Sequence, residues 1–130
     1  MPGPKQEKQR CHRIFVVDDE SIVAPTLGMI LRQNGFEVLS FDLPVEALRA
    51  SREMTPDLLI TDVIMPLLSG IELAIQIREH CLDCKVFLFS GQPEASDLLD
   101  AARTTGRDFK TLAKPVRPSE LLEEIPNTSM

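Results

Sequence analysis

Five short apolar runs alternate along the chain with segments in which apolar residues recur at helical spacing, and this alternation most constrains the fold. The predicted strands cover 13–17, 36–41, 58–62, 85–90 and 109–113. Helices are predicted over 43–54 and 71–81, and around the apolar sets that begin at Val23, Ala95 and Leu121. Alternation at this spacing favours right-handed crossovers and a parallel sheet with helices on both faces. The sequence therefore predicts an α/β fold with five strands and five helices.

The length of the chain limits it to one domain. Its 130 residues suffice for a single core, and a hydrophobic content of 43% is normal for one. We expect a flexible polar lead over 1–12, the folded domain over 13–125 and a polar tail over 126–130. No apolar run approaches the roughly 20 residues of a membrane span, and the start of the chain lacks the apolar region of a signal peptide. With three cysteines, an odd number that fits a reducing compartment, we expect a cytoplasmic protein without a membrane partner.

The charge balance narrows the function further. The formal net charge is −6, whereas a protein whose main task is to bind a phosphate backbone needs a basic face. We therefore expect no direct nucleic-acid partner. An acidic balance is compatible with local cation binding or with basic partners.

The stretch 58–70, with the sequence LLITDVIMPLLSG, carries the candidate chemical centre. Its density of Val, Ile and Leu suggests a strand buried on both faces. Asp62 is the first charge after that strand and should lie at its carboxyl end. Pro66 cannot donate to a strand ladder, so pairing should stop nearby. Taken alone, this stretch is explained better by a solvated turn aspartate than by a reactive one.

Other strands of the predicted sheet also end in polar residues. Asp18 and Asp19 end the first strand, Ser90 ends the fourth, and Lys114 follows the fifth. Because the carboxyl ends of parallel strands share one edge, where ligands bind, these side chains should converge with Asp62. Neighbouring carboxylates repel one another unless a cation compensates, and oxygen ligands without paired histidines favour Mg²⁺ over Zn²⁺.

A hydroxyl and an ammonium group would be superfluous in a site that binds only a metal. Ser90 can donate a hydrogen bond to a phosphoryl oxygen, and Lys114 can place a positive charge on another. Asp62 is the natural nucleophile, because a carboxylate can form an acyl phosphate. The set therefore predicts phosphoryl transfer, which needs mainly positioning and charge neutralisation.

From residue 13 to about 125 the chain resembles the receiver domains of two-component response regulators, in the CheY-like superfamily. In this order and spacing the matching motifs are specific, although none of them is specific alone. They are VDDE at 17–20, TDVIMP at 61–66 with Gly70, Ser90-Gly91 and Lys114-Pro115. The resemblance implies a flavodoxin-like, doubly wound, five-stranded parallel sheet with the strand order 2-1-3-4-5.

The resemblance also implies a role for each site residue. Asp62 would accept a phosphoryl group from a histidine kinase or phosphotransfer protein and so switch a surface for a downstream protein target. Ser90 and Lys114 would hold the phosphoryl group. Mg²⁺ or Mn²⁺ would be bound by Asp18, Asp19, Asp62 and the backbone carbonyl of Ile64. Phosphorylation and dephosphorylation would be self-catalysed, so the chain would be a signalling module and not a turnover enzyme.

One position departs from the family pattern. The family often places Tyr or Phe three residues before the lysine, as a rotamer switch, and here that position is Thr111. Phe109 should share the face of the strand on which Thr111 lies, but farther from the site. No output module fits after Ile125, so the output is expected to be a protein contact.

Three alternatives stay open. A Mg²⁺-dependent phosphatase would also use an aspartate nucleophile, although Ile64 stands where such enzymes usually carry a second aspartate. A receiver-like binding module could work without phosphorylation. A zinc site from His80, Cys81, Cys84 and the Cys11-His12 pair is geometrically conceivable.

A homodimer is a further possibility. Members of the family often dimerise through the face made by the fourth helix, fifth strand and last helix. Leu98, Leu99 and Leu121 lie in those predicted helices, but packing in the core explains them equally well.

Overall fold

The computed structural model describes residues 12–90, 109–113 and 117–129. Its elements in chain order are β1 (Arg13–Val17), α1 (Val23–Gln33), β2 (Glu37–Phe41), α2 (Pro44–Ser51), β3 (Leu58–Asp62), α3 (Gly70–Arg78), β4 (Lys85–Ser90), β5 (Lys110–Ala113) and α4 (Pro118–Ser129). The described part of the chain thus contains four helices, where the sequence predicted five for the whole chain. The remaining prediction, a helix around Ala95, Leu98, Leu99 and Ala102, lies outside the described residues.

All five strands belong to one parallel sheet in the order β2-β1-β3-β4-β5, which confirms the predicted strand order. β1 and β3 are neighbours, and their register pairs Val17 with Thr61. The next residue after each of these two is an aspartate: Asp18 directly follows β1, and Asp62 is the last residue of β3. The topology therefore brings these two carboxylates to the same edge of the sheet.

β3 is buried along its whole length, as the apolar run predicted. On one face of the sheet, Phe15 and Leu59 pack with Leu73 and Ile77 of α3. On the other face, Val16 and Ile60 pack with side chains of α1 and α4, which are Ala24, Leu27, Leu31, Leu121 and Ile125. A strand between two helical layers has no solvent-facing side, so its charged residue can reach water only at its end.

Helix ends follow the local sequence, with differences of a few residues from the predicted bounds. Pro25 lies in the first turn of α1, where its missing N–H breaks no helical hydrogen bond. That helix stops before Gly35, which adopts the left-handed conformation at φ 95°. α2 and α3 are shorter than predicted, since turns follow Ser51 and Arg78. α4 continues beyond Ile125 to Ser129, and its Leu121 is buried in the core.

The outer strand β2 is tied to α1 by side chains. The Arg32 guanidinium donates from Nε and Nη2 to the carbonyl oxygen of Val38, at 3.1 and 2.8 Å. The Ser40 hydroxyl donates to the carbonyl of Ala24 at 3.0 Å. These contacts fix the helix that follows Asp18 and Asp19 against the edge of the sheet.

A matched pair of leucine substitutions tests this core. Leu73 is fully buried, whereas Leu82 is 76% exposed in the turn before β4. We expect Leu73→Ala to lower the free energy of unfolding by about 2–5 kcal/mol, because it leaves a cavity. Leu82→Ala should change it by about 0.5 kcal/mol or less. Urea denaturation measures both, and equal effects would contradict the packing described.

Candidate functional site

Three carboxylates meet at the carboxyl edge of the sheet. Asp18, Asp19 and Asp62 each have a carboxylate oxygen that lies within 4.8 Å of an oxygen of both other carboxylates. Asp18 and Asp62 are buried, and Asp19 is exposed. Within the described residues this is the only such group of three acidic, histidine or cysteine side chains. The structure therefore brings together the three aspartates that the sequence singled out.

The Asp18 carboxylate is oriented by the turn that follows β1. Its Oδ1 accepts a hydrogen bond from the backbone N–H of Glu20 at 2.9 Å, an arrangement that aspartate commonly makes in turns. The backbone N–H of Asp18 donates to the carbonyl of Phe41 on β2 at 3.1 Å. Asp18 is thus held by its own turn and by the neighbouring strand.

The backbone around Asp62 is held from three sides. The N–H of Val63 donates to the carbonyl of Phe89 on β4 at 3.2 Å, and the N–H of Gly70 donates to the carbonyl of Val63 at 2.8 Å. The buried hydroxyl of Thr61 donates to the carbonyl of Asp62 at 3.0 Å. The sequence interpretation missed this role of Thr61, because the sequence pattern does not set the direction of a hydroxyl in a buried strand.

Gly70 starts α3 directly against the carbonyl of Asp62. A Cβ atom built at residue 70 would overlap the backbone oxygen and carbon of Asp62 and press on the Thr61 methyl group. Only glycine therefore allows the helix to begin this close to the strand end. The Ser69 hydroxyl caps the same helix by accepting the N–H of Glu72 at 3.1 Å.

A seven-residue loop, 63–69, connects Asp62 to α3. Ile64, whose carbonyl the resemblance implies as a metal ligand, is half-buried there. Leu67 adopts the left-handed backbone conformation at φ 73° and is 89% exposed. A bulky residue with this φ is uncommon, and such strain occurs most often in functional loops.

Of the two remaining site residues, the structure describes Ser90 but not Lys114. Ser90 ends β4, and the sheet register pairs it with Ala113 of β5. Its position at a strand end next to β3 is as predicted from the sequence. Lys114 lies outside the described residues, so its convergence with the three aspartates stays a prediction.

Thr111, at the position where the family often has an aromatic residue, is exposed on β5. Phe109 is half-buried and packs against the core cluster that contains Leu88. The guanidinium of Arg78 lies 5.8 Å from the centre of the Phe109 ring, within the range of a cation–π contact. Phe109 therefore has a packing role of its own before the start of β5.

The donor set of the acidic cluster matches a hard cation. Carboxylate oxygens are the preferred ligands of Mg²⁺, which also keeps several waters and shares its sites with phosphate oxygens. Two of the three carboxylates are buried, which strengthens their mutual repulsion relative to that in water. Asp18, Asp19 and Asp62 thus have the chemistry of a Mg²⁺ or Mn²⁺ site.

The Cys81-x-x-Cys84 pair lies at the other edge of the sheet. Among the described residues it is not part of a group of three or more possible metal ligands, and Cys11 of the zinc alternative lies outside those residues. The Cys81 thiol donates to the carbonyl of Ser51 at 3.8 Å, and the Cys84 thiol donates to that of Lys85 at 3.4 Å. Burial raises the pKa of the Cys81 thiol, against a smaller opposing effect from a hydrogen bond with the Thr55 side chain. Burial favours the neutral thiol in the folded protein. Its contribution to the free energy of unfolding is therefore fully present below the ordinary pKa of 9.0, and it is lost as the pH rises through the higher pKa of the folded state.

The family model of the response regulator receiver domain matches residues 14–126. The chain therefore belongs to the response regulator receiver domain family. No helix within the described ranges has the length and apolar character needed to cross a membrane.

The relatives include proteins of two lengths. The chemotaxis protein CheY of Bacillus subtilis is 30% identical over 118 residues, which cover 90% of this chain and 97% of CheY. The transcriptional regulatory protein PrrA of Mycobacterium tuberculosis is 33% identical over 113 residues, which cover 87% of this chain but 48% of PrrA. The chain thus spans nearly all of CheY and about half the length of PrrA.

Solved structures agree with this assignment. A receiver domain protein from Clostridium thermocellum superposes with a TM-score of 0.80 at 30% identity, covering 91% of this chain and 94% of that one. The receiver domain of the hybrid histidine kinase CckA gives 0.73 at 32% identity, covering 91% and 99%. The chain is a signalling module of the two-component type, and receiver domains interact with histidine kinases or phosphotransfer proteins.

Substitution of Gly70 tests the close approach of α3 to Asp62. We expect Gly70→Ala to lower the free energy of unfolding by about 1–3 kcal/mol and to weaken Mg²⁺ binding, because the added methyl group must displace the Asp62 carbonyl. Gly35→Ala is the control: it strains a left-handed residue in open space and should destabilise the fold without affecting Mg²⁺. Denaturation and calorimetric titration separate the two effects, and unchanged Mg²⁺ affinity in Gly70→Ala would contradict the expectation.

Thiol reactivity tests the burial of the cysteine pair. In a Cys11→Ser variant, Cys81 and Cys84 should react with an aromatic disulfide reagent only after denaturation, because both are buried and the thiolate of Cys81 is disfavoured. Adding Leu82→Cys, at an exposed position between them, should create a thiol that reacts in the folded protein. Rapid reaction of the native Cys11→Ser variant would contradict the burial described.

Proposed function

We propose that this chain is a phosphoacceptor switch, in which Asp62 receives a phosphoryl group and the modified domain binds a downstream protein target. The observation that carries the proposal is the cluster of Asp18, Asp19 and Asp62 at the carboxyl edge of the sheet. The acceptor is Asp62, at the end of the central strand β3, and its two neighbours directly follow the adjacent strand β1. Membership of the receiver family supports the same role.

The transfer step uses the Asp62 carboxylate as nucleophile. One of its oxygens forms a bond to phosphorus while the bond from phosphorus to the donor's nitrogen or oxygen breaks, and the leaving group departs with that electron pair. The product is an acyl phosphate on Asp62. Ser90 donates a hydrogen bond to the phosphoryl group, and Lys114 neutralises part of its charge.

A divalent cation belongs to this proposal. Mg²⁺ or Mn²⁺ would be held by Asp18, Asp19, Asp62 and the backbone carbonyl of Ile64. It supplies positive charge against the phosphoryl oxygens and the clustered carboxylates. The chain's own contribution is to fix these oxygens in place, through the Asp18 turn and through the backbone contacts around Asp62.

Intact-mass spectrometry after incubation with acetyl phosphate tests the proposal. We expect the wild type to gain one phosphoryl group in Mg²⁺ and none in EDTA, and Asp62→Asn to gain none, because it lacks the nucleophile. Asp42→Asn is the matched control, since Asp42 is an exposed aspartate that follows the outer strand β2 of the same sheet. It should be phosphorylated like the wild type.

Each other result has a distinct meaning. A mass gain that survives Asp62→Asn would identify a different acceptor. Release of inorganic phosphate in large excess over protein would favour the phosphatase alternative. No gain in the wild type at any donor concentration would contradict a self-catalysed phosphoacceptor.

A further inference from the structure

We propose that the hydroxyl of Thr61 is a positioning group that fixes the Asp62 carboxylate relative to the carbonyl of Ile64, an inference that rests on the proposed function. Thr61 is fully buried and precedes the acceptor on β3. Its hydroxyl donates to the carbonyl of Asp62 at 3.0 Å. Because its side chain is fully buried, Thr61 would act through the backbone of its neighbour.

The contact controls a single peptide plane. The peptide between Asp62 and Val63 is anchored at its N–H end, where Val63 donates to the carbonyl of Phe89 on β4. Thr61 anchors the same peptide at its C=O end. A peptide unit is planar, so two anchors on opposite sides leave little freedom for rotation about the adjoining bonds.

The next peptide plane is anchored as well. The carbonyl of Val63 accepts the N–H of Gly70 at 2.8 Å. The backbone from Asp62 to Ile64 therefore leaves the strand in one defined direction. Two of the proposed metal-binding oxygens, one in the Asp62 carboxylate and one in the Ile64 backbone, lie at the two ends of this short path.

The hydroxyl has one alternative acceptor. The sulfur of Met65 lies 3.9 Å from the Thr61 oxygen, and thioether sulfur is a weak acceptor. The carbonyl of Asp62 is both nearer and stronger, so the proton points to the backbone. Without the hydroxyl, this carbonyl would lose one buried donor, while the N–H of Val63 would keep its hydrogen bond to β4.

Two pairs of variants isolate the hydroxyl. In the first pair, Thr61→Val is compared with the wild type and replaces the hydroxyl by a methyl group of similar size. In the second pair, Thr61→Ala is compared with Thr61→Ser. Both of these lack the threonine methyl group, and they differ only in the hydroxyl. The chain contains no tryptophan or tyrosine, so Mg²⁺ affinity is measured by isothermal titration calorimetry in the absence of a phosphodonor. Thermal unfolding and the rate of phosphorylation by acetyl phosphate are measured on the same samples.

We expect Thr61→Val to raise the Kd for Mg²⁺ about fivefold, the size expected for the loss of one hydrogen bond. Thr61→Ser should stay within about twofold of the wild type, and Thr61→Ala should bind more weakly than Thr61→Ser by about the same fivefold factor. Phosphorylation at subsaturating Mg²⁺ should slow in parallel. A group with only a structural role would shift the unfolding temperature and leave the Kd unchanged.

The outcomes separate this inference from the proposed function. Equal Mg²⁺ affinity in the wild type and Thr61→Val, or in Thr61→Ser and Thr61→Ala, overturns the role of Thr61 while leaving the phosphoacceptor intact. Weak binding in Thr61→Ser shows that the methyl contact matters and also overturns it. A wild type that binds no Mg²⁺ overturns the proposed metal site, and this inference with it. If Thr61→Val does not fold, the serine and alanine variants decide the question.

Discussion

The burial of β3 between two helical layers is the constraint on which the rest of the structure depends. Each of its five residues is buried, so a charge on this strand is tolerated only where the strand meets solvent. Asp62 occupies that place. The neighbouring strand β1 ends beside it, and the two aspartates after β1 complete a cluster that no single segment of the chain contains. The site is thus a product of the sheet topology.

The cluster brings an electrostatic cost that shapes its chemistry. Carboxylates a few ångströms apart repel one another, most strongly where protein excludes water. The backbone around them is fixed by a turn at Asp18 and by the anchors at Thr61, Phe89 and Gly70. A rigid set of negative oxygens is well prepared to take up a divalent cation and, with it, a phosphoryl group.

Much of this arrangement was predictable from the sequence. The convergence of Asp18, Asp19 and Asp62 follows from strand-helix alternation, because parallel strands share one carboxyl edge. The strand order was implied only by the resemblance to the receiver family. Helix ends were predicted less well, since the turns after Ser51 and Arg78 depend on packing that periodicity does not report.

The contacts of Thr61 and Gly70 were not predictable in the same way. A threonine in a strand has many roles, and the direction of its hydroxyl depends on the peptide planes around it. The motif marked Gly70 as a family feature, but its physical reason, the overlap of any Cβ with the Asp62 backbone, appears only in three dimensions. The side chains of Ser90 and Lys114 remain predictions of the sequence.

The contact between Arg32 and Val38 has a consequence for how this domain can associate. The outer strand of a sheet has unpaired backbone N–H and C=O groups that can pair with a strand of another chain, and such pairing leads to aggregation or to sheet extension. Here the Val38 carbonyl already receives two hydrogen bonds from a guanidinium. An incoming strand would have to displace a charged group that is bound at two points. The Arg32 contact therefore disfavours strand addition at this point of β2.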